Sequence, residues 1–143
     1  MLKRTDELDF ELSNANSIHT FIADNQAEFD DKNFYKLLNT VIKDSGKSKC
    51  RVAADCCISE PYMYNLVKGE KRPARDTVIK LSLGLHLPIE TAERLLNLAG
   101  HSGFYARGKR DAILKFSLAS GHGITETEGL LVKYGFSLMK DIG

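Results

Sequence analysis

Residues 49–73 read KCRVAADCCISEPYMYNLVKGEKRP, and their pattern is that of two short helices meeting at a tight turn. Val52, Ala53 and Cys56 recur at helical spacing and predict a first helix over 48–56. Ser59 is an N-cap residue for a second helix over 60–68, and Gly69 closes it. Pro61 then falls in the first turn, where its missing N–H costs little. Ala53 is small enough for one helix to cross the other. Val52, Cys56, Ile58, Met63 and Leu66 take the shared inner face. The turn itself calls for a compact residue, usually glycine, and Cys57 stands there.

Outward from this stretch the chain continues in helical spacing. Phe34, Leu37, Leu38, Val41 and Ile42 form an i, i+3, i+4 stripe that ends near Gly46. Ile18, Phe21, Ile22 and Phe29 predict a helix over about 16–29. Strand-like alternation is not convincing anywhere, so an all-α fold is expected.

On the C-terminal side the chain repeats itself. A shift of 35 residues lays 75–102 on 110–137 without a gap. Arg75-Asp76 falls on Arg110-Asp111, Lys80 on Lys115, Ser82-Leu83 on Ser117-Leu118, Glu93 on Glu128, Leu95-Leu96 on Leu130-Leu131 and Gly100 on Gly135. Each copy reads as helix, turn, helix, with glycine as the stop. Two copies are too few for a solenoid, which needs about three. A duplicated helical hairpin is expected instead, with Arg75 and Arg110 pairing to Glu93 and Glu128. Residues 101–109 are glycine-rich and basic and predict a loop.

Composition excludes several classes. Hydrophobic residues make up 43% and charged residues 27%, as in an ordinary globular domain. Apolar runs fall short of the roughly 20 residues a membrane span needs, and no signal peptide is read at the start. Three cysteines, two of them adjacent, argue against a disulfide framework and fit a reducing cytoplasm. Cys56 fits the core as a small hydrophobe. His19, His86, His101 and His122 are scattered and no Cys-x-x-Cys occurs, so neither metal nor cofactor is expected. No nucleophile–base pair or carboxylate dyad stands out, so the chain does not read as an enzyme.

The net charge of +1 is unevenly spread. Residues 1–31 carry two basic and eight acidic side chains, a balance of −6. Residues 43–75 carry eight basic and four acidic, a balance of +4. A polyanion is drawn to the second region and repelled by the first.

The run Ile58-Ser59-Glu60-Pro61-Tyr62-Met63-Tyr64-Asn65-Leu66-Val67-Lys68-Gly69-Glu70-Lys71-Arg72-Pro73 resembles the phage-repressor-like (Cro and Xre type) helix-turn-helix family. Its hallmark is a recognition helix, a glycine, a few basic residues and a proline opening the next helix. The resemblance implies a five-helix repressor-like core over 33–100, after an acidic N-terminal helical extension over 1–32. A C-terminal helical hairpin follows over 101–143, as in a bacterial subfamily with that arrangement.

It also implies a cytoplasmic, sequence-specific regulator of transcription that binds double-stranded DNA. By this resemblance Ser59, Glu60, Tyr62 and Asn65 fall where the family contacts bases or nearby phosphates. Lys49, Lys68, Lys71 and Arg72 fall where it contacts phosphates. The chemistry suits these roles: Lys and Arg neutralise phosphate, Asn pairs bidentately with adenine, and Glu accepts from cytosine N4. A homodimer is expected, because one such helix reads too few bases and two-fold dimers match palindromic sites. The acidic N-terminal helix or the C-terminal hairpin would then form the dimer or dock a protein. Glu60, Pro61 and Cys57 also leave open a protein-interaction module, antitoxin or anti-repressor with weak or lost DNA binding.

Overall fold

In the computed structural model, residues 3–14, 17, 18, 20, 33–70 and 72–140 are described. Every regular element among them is an α-helix. The helices are α1 (Thr5–Asn14), α2 (Asn33–Ser45), α3 (Lys49–Asp55), α4 (Glu60–Lys68), α5 (Arg75–Gly84), α6 (Ile89–Leu98), α7 (Lys109–Ala119) and α8 (Ile124–Lys133). None is long and apolar enough to cross a membrane.

The helix expected over 16–29 lies almost wholly outside the described residues; of its apolar positions only Ile18 is described, and it is exposed. Within the helical extension expected over 1–32, spacing marked a helix at 16–29 and not at α1. Leu8, Phe10 and Leu12 alternate rather than share one helical stripe, and α1 buries none of its side chains. Asp6 and Glu7 in its first turn do favour a helix N-terminus there.

The core is organised around α5, which touches α3, α6, α7 and α8. All eight residues from Thr77 to Gly84 are buried, so this helix is enclosed on every side. The stripe on α2 does what its spacing predicts: Phe34, Leu38 and Ile42 are buried, and α2 packs against α4 and α6. Gly84 matters where α5 passes α3. A Cβ there would collide with the Cys56 side chain and lie 2.9 Å from the Cys56 Cα.

Three successive hairpins, α3–α4, α5–α6 and α7–α8, turn in the same way. Each has one left-handed residue: Cys57 (φ 54°), His86 (φ 53°) and Gly121 (φ 75°). In each, the next N–H reaches back to close the first helix: Ile58 to the Ala53 carbonyl, Leu87 to Ser82 and His122 to Ser117, at 2.9–3.0 Å. The second helices stop at Gly69, Gly100 and Gly135, all left-handed.

Residues related by the 35-residue shift exchange partners. Arg75 grips Asp111 with two nitrogens (2.9 and 2.8 Å), and Arg110 grips Asp76 likewise (3.2 and 3.0 Å). Asp111 also accepts the Tyr105 N–H (2.9 Å), and Asp76 accepts the Lys140 N–H (3.1 Å). The expected pairing of these arginines with Glu93 and Glu128 is therefore corrected. The two glutamates take backbone donors instead, Phe104 N–H and Met139 N–H, both at 3.2 Å. The reason is placement: α5 and α7 pack together with their first turns adjacent, so each arginine meets the other copy's aspartate.

Burial pushes the Asp111 carboxyl up, but the Arg75 hydrogen bond, the Tyr105 N–H and the two guanidinium charges outweigh it and hold it below its usual value of 3.8. Its stabilising contribution is thus complete above that value and fades as pH falls through the lower folded value. Asp111→Asn should cost about 2 kcal/mol at neutral pH by leaving Arg75 half-paired. In urea denaturation its deficit against the parent should shrink near pH 3. Gly84→Ala should lose about 2 kcal/mol to overpacking, despite a helix-propensity gain of about 1 kcal/mol. The urea midpoint, read at constant slope, measures that loss.

Candidate nucleic-acid interface

The α3–α4 hairpin is built by local capping. Ser48 Oγ accepts the Arg51 N–H (3.2 Å), which starts α3 and leaves Lys49 exposed in its first turn. Val52, Ala53 and Cys56 turn inward and are buried. Cys57 then takes the left-handed conformation that glycine adopts without strain. Ser59 caps α4 through the Tyr62 N–H (3.4 Å), and Pro61 sits at the second helical position, where no N–H is lost. At the far end Gly69 is required twice over. Its φ is 82°, and a Cβ would lie 2.9 Å from the Tyr35 ring.

The inner stripe of α4 is Met63 and Leu66, flanked by Tyr62 and Val67. Ser59, Glu60, Pro61, Tyr64 and Lys68 are exposed, and Asn65 is half-buried at the edge. Tyr62, expected to point outward, packs against the core; Tyr64 is the outward aromatic, 39% exposed. Helical geometry explains the exchange. With Met63 and Leu66 at the centre of the inner stripe, position 62 falls beside it and 64 nearly opposite. Tyr64 also links the two helices. Its ring lies under Lys49 Nζ (5.9 Å to the centroid), and its hydroxyl is 3.9 Å from Cys50 Sγ.

The cations of this region are not equally available. Lys47 and Arg51 converge on Asp55 at 2.8 and 3.3 Å. The Lys47 hydrogen bond, set against some burial and aided by both positive charges, holds Asp55 below the usual carboxylate range. Arg72 donates its Nε to the Ala99 carbonyl (3.2 Å), and its guanidinium covers Gly100, where a Cβ would strike it. His101 Nε2 lies 2.8 Å from the Pro73 carbonyl. The segment after α4 is thereby tied to the end of α6. Lys71 lies outside the described residues. Lys49 and Lys68 are exposed beside the outward face of α4.

The acidic helix α1 meets the body elsewhere, at α6, where Asn97 Nδ2 donates to Thr5 Oγ1 (3.3 Å). Burial pushes the Cys56 thiol up to about 12, so it is inert packing; Cys50 and Cys57 are exposed free thiols. No cluster of three or more His, Cys, Asp or Glu among the described residues is placed to hold a metal ion. The chain matches no protein-family model, no curated protein and no solved structure.

Cys57→Gly should relieve the left-handed strain and raise stability by about 0.5–1 kcal/mol, whereas Cys57→Val should lower it by more than about 1 kcal/mol. Urea midpoints of the three proteins give the order.

Proposed function

We propose that the chain is a double-stranded DNA-binding regulator of transcription, with α2 to α6 as a five-helix repressor-like core. In this reading α3 and α4 are its helix-turn-helix, and α4 enters the major groove. The observation that carries the proposal is the outward face of α4. It is capped, seated on α3 and uncovered by the described residues, with Lys49 and Lys68 beside it.

Ser59, Glu60, Tyr64 and Asn65 are the groups of this face able to meet base edges or sugars. Lys49, beside Tyr64, and Lys68, at the C-terminal end of α4, neutralise phosphates. Arg72 holds the following loop, and its remaining nitrogens are its only reach toward a phosphate. A homodimer presenting two copies of α4 would supply the number of base contacts that specificity needs.

One observation favours a second reading, a helical protein-interaction module or antitoxin with little DNA affinity. Lys47, Arg51 and Arg72 are engaged within the chain, and Glu60 stands at the front of α4.

Mobility shifts on random duplex at two salt concentrations separate the two. A DNA binder loses affinity steeply as salt rises, by nearly one power of the salt concentration per phosphate contact. The double variant Lys49→Ala/Lys68→Ala should flatten that slope by about two powers, while Tyr64→Ala should weaken binding to a selected sequence more than to random duplex. Absence of binding at low salt assigns the chain to the second reading.

A further inference from the structure

The exposed residues of α8 are Thr125, Glu126, Gly129, Val132 and Lys133. They lie at offsets −4, −3, 0, +3 and +4 from Gly129, which is one face of a helix. Gly129 has no internal reason to be glycine. Its backbone is not left-handed, and a Cβ there would meet nothing within 4 Å. A glycine in a helix interior costs about 1 kcal/mol. Its counterpart in the first copy is Arg94, a strong helix former. What glycine does offer is close approach by a body outside the fold.

The same face is apolar at its ends. Phe116, 60% exposed, stacks edge-on to His122 (5.9 Å between centroids), and His122 Nε2 lies 3.9 Å from Glu126. Beyond Val132, 58% exposed, Lys133 Nζ sits over the ring of the exposed Tyr134. Leu81, the counterpart of Phe116, is fully buried in α5, and its carbonyl accepts from the Cys56 thiol (3.8 Å). The equivalent ground on α7 is uncovered by the described residues.

We propose that this face pairs with the same face of a second copy, α8 against α8 in antiparallel two-fold packing centred on Gly129. Charge complementarity selects the partner. Glu126 lies about 4.5 Å before Gly129 along the axis, and Lys133 about 6 Å after it. Two-fold antiparallel pairing therefore sets each Glu126 against Lys133 of the other copy, and each Phe116 toward the other's Val132 and Tyr134. An isologous contact needs such self-complementarity. The inference rests on the DNA-binding reading only for why a pair is useful, and its test uses no DNA, so each can fail alone.

Sedimentation velocity of the full chain should show a dimer whose dissociation follows dilution. Gly129→Arg should be monomeric with its helical circular dichroism intact. Glu126→Lys and Lys133→Glu should each raise the dimer Kd about tenfold, and the double exchange should return it to within about threefold of the parent. A monomeric parent at all concentrations overturns the proposal. So does a dimer indifferent to Gly129→Arg and to both charge reversals, which would point to the exposed Phe10 and Leu12 of α1 instead.

Discussion

Enclosure of α5 is the constraint on which the rest of the structure depends. A helix buried on all sides lets a neighbour's backbone come close only where its own side chain is small. Gly84 is where α3 comes close. That approach puts Cys56 and Val52 of α3 under cover, and α4 follows from α3 through a turn of fixed geometry. The direction in which α4 shows Glu60, Pro61 and Tyr64 to solvent is thus set by a contact made on the other side of the hairpin.

The second tie on α5 is electrostatic. The crossed Arg75–Asp111 and Arg110–Asp76 pairs join the first turns of α5 and α7, and each carboxylate also takes a backbone donor, Tyr105 or Lys140, from the segment just after a copy. Such partly buried pairs cost desolvation, which their extra hydrogen bonds offset. Their value lies in register: a slip of either copy along the other would break both pairs at once. The C-terminal hairpin is thereby tied to the body through α5, and among the described residues the outer faces of α7 and α8 are its open surface.

Charge bears on function less than the sequence balance suggests. Of the eight basic side chains in residues 43–75, Lys47 and Arg51 are engaged by Asp55 and Arg72 by the Ala99 carbonyl, so the electrostatic pull of the α4 face comes down to fewer cations than a count provides. Shape therefore carries more of the functional reading than net charge does. A short, well-capped, exposed helix held by a rigid neighbour is the feature that suits a groove.

Much of this was legible in the sequence because it depends on nearby residues. The Ser59 cap, the Gly69 stop, the inner stripe of Val52, Cys56, Met63 and Leu66, and the stripe on α2 all follow from relations within a turn or two of helix. The all-helical class is the sum of such local signals. Tertiary structure decided the rest. It turned Tyr62 inward and Tyr64 outward, took Arg72 for the Ala99 carbonyl, gave Arg75 and Arg110 to the opposite copy's aspartates, and formed α1 without an amphipathic stripe. Each of these outcomes turns on which distant segments come within a few ångströms of one another. Spacing along a chain says which face a residue occupies relative to its helical neighbours, but not what the rest of the molecule brings to that face.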